Sequence, residues 1–67
     1  MVNLSLLKRY IEYSGIKLSV LSYKIGVSRT TLWSRLRGDS EFTKEELKDI
    51  CIVLKLNEKE RKNIFGA

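Results

Sequence analysis

The side chains best suited to binding chemistry lie between Lys17 and Arg37. This stretch is rich in serine and threonine hydroxyls, which donate and accept hydrogen bonds, and in arginine guanidinium groups, which pair with anions. Residues 1–38 hold seven basic side chains against one acidic side chain, whereas residues 39–67 hold six basic and seven acidic ones. Positive charge concentrated in one half of a small chain is typical of a nucleic-acid binder.

Catalytic and metal-binding chemistry are not indicated by the composition. The chain has no histidine and one cysteine, Cys51, so we expect neither a nucleophile–base pair nor a Cys/His metal cluster. No phosphate-binding GxxxxGK[ST] motif occurs. We therefore expect a protein that is not an enzyme and that takes no cofactor, metal or small-molecule substrate. The longest apolar run, ICIVL, is too short to cross a membrane, and we expect a cytoplasmic protein.

Two short helices joined by a tight turn must position the polar stretch. Apolar residues at helical spacing predict a helix over about 18–25, and Gly26 then takes the left-handed conformation that a sharp turn needs. Ser28 is a good N-cap for a second helix over about 29–36, because its hydroxyl can accept from a free amide of the first turn. Gly38 is placed to end that second helix.

Similar signals predict three more helices. Asn3 is a cap for a helix near the N-terminus, Thr43 opens a capping box, and Asn57 is the cap of a helix over about 58–65. No stretch alternates long enough to predict a strand. We predict one all-α domain over 1–67, a compact five-helix bundle around a central helix-turn-helix. Expected to pack inside it are Leu47, Ile50, Cys51, Ile52, Val53, Leu54, Ile64 and Phe65, with Tyr10 and Tyr13 also favoured as packing residues.

A family resemblance runs through the centre of the chain, in the stretch SVLSYKIGVSRTTLWSRLRG. This stretch resembles the helix-turn-helix of phage repressors of the Cro/CI type, the XRE-like or lambda-repressor-like proteins. The residues that match the family pattern are Leu21, Ser22, Gly26, Val27, Ser28 and Leu32, with Ser22 standing where alanine is common. The tail, EFTKEELKDICIVLKLNEKERKNIF, is similar to the two closing helices of small phage regulators.

The resemblance implies a lambda-repressor-like fold and a transcriptional regulator. Such a protein binds double-stranded DNA sequence-specifically and represses by occluding an operator. The resemblance also implies a homodimer, at least on DNA, with the C-terminal half as its contact. A two-fold symmetric operator would follow, with half-sites about 10 to 10.5 base pairs apart.

The second helix of such a unit enters the major groove and presents its N-terminal residues to base edges. With Leu32 and Leu36 on the buried side, a rotation of about 100° per residue turns Thr30 and Ser34 outward. Arg29 is the strongest candidate, because a guanidinium group can bond both O6 and N7 of guanine. We predict base contacts from Ser28, Arg29, Thr30, Trp33 and Ser34. We predict phosphate contacts from Lys17, Ser19, Thr31, Arg35 and Arg37.

Several alternatives stay open at this stage. Arg29 could contact a phosphate, and Arg35 could form an ion pair within the protein. Trp33 could be a core-edge aromatic, a contact to a sugar or a thymine methyl of DNA, or a protein–protein contact. Lys8 and Arg9 could contact phosphates or be solvated. The chain could also be a domain of a longer repressor, or an antitoxin-like interaction module that exposes a large apolar patch in its C-terminal half.

Overall fold

Five helices make up most of residues 2–65, the range that the computed structural model describes. No strand occurs within this range, so the predicted all-α class with five helices is confirmed. The helices are α1 (Leu4–Ser14), α2 (Leu18–Ile25), α3 (Arg29–Arg37), α4 (Lys44–Val53) and α5 (Glu58–Phe65).

Side-chain caps start four of these helices, as the sequence predicts. A capping side chain accepts a hydrogen bond from a first-turn amide, a donor that the helix itself leaves unsatisfied. The caps are Asn3 for α1, Ser28 for α3, Thr43 for α4 and Asn57 for α5. Helix α2 differs, because its N-cap residue, Lys17, makes no side-chain hydrogen bond to the helix start.

Glycines in the left-handed conformation end the first three helices. Gly26, between α2 and α3, has a φ of 76°, which a residue with a Cβ rarely adopts. The Val27 amide then donates to the Ser22 carbonyl at 3.0 Å and closes the turn. Helix α4 ends without glycine: Lys55 takes the left-handed conformation with a φ of 55°, which the sequence pattern does not predict.

One core joins the five helices. Helix α2 packs against α3 and α4, while α1 packs against α5 and α3. The amide of Asn3 donates to the carbonyl of Ile64 at 2.7 Å and so ties the start of α1 to the end of α5. The buried apolar side chains are Leu7, Ile11, Leu21, Ile25, Leu32, Leu36, Leu47, Ile50, Cys51 and Ile64.

Three side chains expected inside are exposed instead. Ile52 is 55% exposed, because on α4 it lies about 150° from the direction of the buried residues. Phe65 is 38% exposed, and its side chain is turned by about 100° around α5 from the buried Ile64. Tyr13 is almost wholly exposed on the outer side of α1, whereas Tyr10 is half-buried against the core.

Candidate nucleic-acid interface

Helix α3 is held with one side against the rest of the protein. Leu32 and Leu36 are buried, and the facing side of α2 contributes Leu21 and Ile25 to the same core. Ser22 is also buried, and its hydroxyl donates to the Ser19 carbonyl at 3.0 Å. The buried stripe of α3 consists of these two leucines, which follow one another along the helix. Most of the circumference of α3 is therefore left to other side chains, most of them polar.

Arg29 and Thr30 lie exposed on the first turn of α3. Neither ion pair found within residues 2–65 involves Arg29. An exposed guanidinium group beside an exposed threonine hydroxyl and methyl offers five donors, one hydroxyl and one small apolar contact. These two side chains can therefore reach a ligand without breaking a contact in the protein.

Ser28 and Thr31 form the cap at the start of α3. The Ser28 hydroxyl oxygen accepts from the Thr31 amide at 3.0 Å, and its proton goes to the Thr31 hydroxyl oxygen at 2.9 Å. The Ser28 hydroxyl is therefore committed as a donor, and only an acceptor position is left for a base. The half-buried Thr31 hydroxyl keeps its own proton, which an anion can accept.

The structure corrects the prediction that Ser34 faces outward. Ser34 is half-buried, and its hydroxyl oxygen lies 3.1 Å from that of Ser40 in the loop after α3. A rotation of 100° per residue describes α3 by itself. In the fold, the loop after α3 folds back over the direction that this rotation predicts to face outward. Ser34 is thus a contact between α3 and its following loop.

Arg35 also departs from the predicted phosphate-contacting set. Its side chain is 19% exposed and forms an ion pair with Glu46 of α4, with Nε 2.7 Å from Oε1. The Nε–H is not aimed at that oxygen, and the hydrogen bond of the pair runs from Nη2 to Oε2 at 3.3 Å. Nη1 donates to the Ser40 hydroxyl at 3.0 Å. Of the two alternatives for Arg35, the structure therefore has the internal ion pair.

Exposed cationic and hydrogen-bond-donating groups also lie at the C-terminal end of α3 and at the start of α2. Arg37, at its C-terminal end, pairs with Asp39 at 2.8 Å, and both side chains are more than half exposed. An exposed pair of this kind contributes little, so Arg37 can exchange Asp39 for another anion at small cost. Lys17 and Ser19 are exposed at the start of α2, where the first-turn amides lack a side-chain cap.

Trp33 lies at the edge of the core and is 49% exposed. It lines an open groove together with Ile11 of α1, Ile16, Leu18 of α2 and Leu36. This placement matches the core-edge alternative for one half of the side chain and leaves the other half available to a partner. Lys8, which sequence reasoning left undecided, lines the same groove.

Burial raises the pKa of the Cys51 thiol, against a smaller opposite effect of the Arg61 charge, and Cys51 belongs to the core. Within residues 2–65, no group of three or more His, Cys, Asp or Glu side chains could hold a metal ion. No helix in this range is long and apolar enough to cross a membrane.

No family model, no curated protein and no solved structure matches this chain. The chemistry of the surface therefore stands on the side chains themselves. Arg29, Thr30 and Arg37 are exposed on α3, and Lys17 is exposed before the start of the adjoining α2. These side chains can hydrogen-bond and pair with an extended anionic partner.

Proposed function

We propose that this protein is a sequence-specific regulator of transcription that binds double-stranded DNA and represses by occluding an operator. The observation that carries the proposal is the first turn of α3. There, Arg29 and Thr30 are exposed while Leu32 and Leu36 hold the helix from behind. The helix is thus fixed by the core and its N-terminal side chains are free to enter a groove. The basic half of the chain, residues 1–38, supports the same conclusion.

In the proposed complex α3 lies in the major groove. Arg29 donates two hydrogen bonds to O6 and N7 of a guanine, which distinguishes that base pair from the other three. Thr30 offers its methyl group to a thymine methyl or its hydroxyl to a base edge. Ser28 is a weaker candidate for base contact, because its proton is used in the cap.

Phosphate contacts would hold α3 in register at both of its ends. Thr31 donates its hydroxyl proton near the start of the helix, and Arg37 leaves Asp39 for a phosphate near its end. At the start of α2, the uncapped amides, with Lys17 and Ser19, offer a further anion site. Arg35 is not part of this set, because its side chain is mostly buried and already pairs with Glu46 and Ser40. The proposal implies a cytoplasmic protein, because the DNA it would regulate is there.

The variants Arg29→Ala and Arg37→Ala test this proposal directly. Arg29→Ala should weaken binding to a duplex selected from a random pool by about 1–3 kcal/mol, with little effect on a scrambled duplex. Arg37→Ala should weaken both duplexes by similar factors and reduce the salt slope by about one phosphate. Fluorescence anisotropy of labelled duplexes at several salt concentrations measures both effects. Lys59→Ala, which removes an exposed charge from α5, is the matched control.

The outcomes separate the parts of the proposal. A wild-type salt slope near zero would exclude DNA as the main partner, because each neutralised phosphate contributes about −0.9 to the slope. Equal losses on both duplexes for Arg29→Ala would make Arg29 a phosphate contact and leave base reading to Thr30. A loss for Lys59→Ala as large as that for Arg37→Ala would show only a general charge effect.

We also propose that two copies bind one operator. A short α3 reads few bases by itself, and the C-terminal half exposes two large apolar side chains, Ile52 and Phe65, that a second copy could cover. Footprinting should therefore show two symmetric half-sites about 10 to 10.5 base pairs apart. An asymmetric footprint that covers a single half-site would refute the dimer.

The antitoxin-like alternative needs a large exposed apolar patch in the C-terminal half, and residues 39–65 show none beyond two separate side chains. Ile50, Cys51 and Ile64, which such a patch would need, are buried in the core. Only Ile52 and Phe65 are exposed among the large apolar side chains of α4 and α5. No specific observation therefore favours this second function over the first.

A further inference from the structure

We propose that the groove between α1 and α3 receives the sugar–phosphate backbone of bound duplex DNA, with Trp33 against the sugar and Lys8 against a phosphate. This inference rests on the proposed DNA-binding function and extends its surface onto α1. Trp33 is among the predicted base-contacting residues, with a sugar contact as an open alternative, and this inference takes the sugar contact, which reads no sequence.

The groove is small and open to solvent. Its floor is apolar, formed by Ile11, Leu18 and Leu36, and Trp33 stands half-exposed along one side. Its volume of about 280 Å³ is below the range of about 300–1,000 Å³ that is usual for small-molecule sites. A shallow apolar floor of this size suits a deoxyribose ring, which presents carbon atoms between two phosphates.

The groove adjoins the proposed interface along α3. Trp33 is four residues after Arg29 and four before Arg37, and residues four apart in a helix are neighbours on one side. The other end of the groove reaches Leu18, the first residue of α2, where the first-turn amides lack a side-chain cap. DNA that engages Arg29 and the start of α2 together must therefore pass close to Trp33.

The charges around the groove fit an anion. Lys8 lines it directly, and the exposed Lys17 lies in the chain between two lining residues, Ile16 and Leu18. Glu12 is the acidic residue among those that line it. A second copy of this chain would bring like charges together here, whereas a phosphate backbone supplies the opposite charge.

The side chain of Trp33 has an apolar ring system and a polar N–H, so it suits a partner that offers both apolar atoms and a hydrogen-bond acceptor. Its indole N–H is a donor only, and no hydrogen bond within residues 2–65 uses it. Tryptophan buries much area on binding at a low cost in conformational entropy, so covering the exposed half would stabilise a complex. Because sugar and phosphate are the same at every position, the gain would be equal on any duplex sequence.

Trp33 is the single tryptophan of the chain, which makes the test direct. Acrylamide quenching of Trp33 fluorescence in the wild-type protein should fall when either the selected or the scrambled duplex is bound at low salt. Trp33→Ala should weaken binding to both duplexes by about tenfold, and Trp33→Phe by much less. Lys8→Gln should reduce the salt slope by about one phosphate.

Two controls keep the test independent of folding. The quenching measurement uses the unaltered protein, so it stands even if Trp33→Ala unfolds. Tyr13→Ala removes an exposed aromatic side chain that lies outside the groove, and it should leave both affinities unchanged.

Several results would overturn this inference and leave the proposed function intact. One is tight binding of the selected duplex with no change in quenching. Another is a loss for Trp33→Ala on the selected duplex alone, which would make Trp33 a base contact. A third is protection of Trp33 that grows with protein concentration in the absence of DNA, which would make the groove a contact between copies. Failure of the wild-type protein to bind either duplex would instead remove the proposed function, and this inference with it.

Discussion

Replacing Glu46 should destabilise the fold far more than replacing Glu60, although both close the same kind of capping box. The Glu46 carboxylate accepts from the Thr43 amide at 3.0 Å, and the Glu60 carboxylate accepts from the Asn57 amide at 2.9 Å. Among partners within residues 2–65, only Glu46 has a second one, because Arg35 of α3 pairs with it. The difference between the two substitutions therefore isolates the link between α3 and α4.

The magnitude follows from how far the pair is withdrawn from water. Loss of a capping interaction costs about 1 kcal/mol, and this is the whole expectation for Glu60→Ala. The side chains of Arg35 and Glu46 are 19% and 12% exposed, between a surface pair, worth about 0–1 kcal/mol, and a buried pair, whose breaking costs about 3–5 kcal/mol. We expect about 2 kcal/mol for the lost pair, and so about 3 kcal/mol for Glu46→Ala.

Thermal and urea unfolding followed by circular dichroism measure these costs. For a domain of this size, 1 kcal/mol shifts the Tm by about 4–8 °C, so the two alanine variants should differ by about 8–16 °C. Glu46→Gln separates the two roles, because an amide oxygen can keep the capping bond while the charge is lost. A double variant that combines Glu46→Ala with Arg35→Met should recover part of the stability that Glu46→Ala loses, since no unpaired guanidinium group remains.

Equal costs for Glu46→Ala and Glu60→Ala would refute this reasoning. They would mean that the Arg35–Glu46 pair adds nothing beyond the cap and that α3 is held by its leucines alone. A double variant whose cost equals the sum of the two single ones would lead to the same conclusion.

Two further predictions concern the core. Burial raises the pKa of the Cys51 thiol above its ordinary value of 9.0, so the folded state should lose stability as the pH rises above about 9, where the unfolded chain ionises first. Cys51→Ala should remove this part of the pH dependence in urea unfolding, and an unchanged dependence would contradict it. Ile64→Ala should cost about 2–5 kcal/mol, because the side chain is fully buried, whereas the partly exposed Phe65 should cost clearly less when replaced by alanine. Equal losses of Tm for these two variants would contradict the orientation of α5.

The limits of the helices could be predicted because their signals are local. Asn3, Ser28, Thr43 and Asn57 cap helices through atoms no more than three residues away, and Gly26 permits its turn through its own φ. The capping role of Glu46 followed from the same short spacing. Such interactions need no knowledge of how the helices pack.

The sides of the helices were predicted less well where one apolar run covered several directions. Ile52 follows the buried Cys51, and Phe65 follows the buried Ile64. Apolar residue type alone predicts a core position for both. A helix turns about 100° between neighbours, so adjacent apolar residues point in different directions, and both are buried only where other helices cover both directions, as at Ile50 and Cys51. The sequence alone does not say where the neighbouring helix ends and water begins.

The sequence by itself determined the five helices, the turn at Gly26 and the concentration of positive charge in residues 1–38. Only the tertiary structure decided what Ser34, Arg35 and Trp33 do. Ser40 and Glu46 contact side chains of α3 because the loop after α3 folds back and α4 follows it, and Trp33 lines one groove with Ile11 because α1 packs against α3. These partners are 6, 11 and 22 residues apart, which is beyond the reach of helical periodicity. A side chain's availability to DNA depends on such distant partners, and therefore on the packed chain.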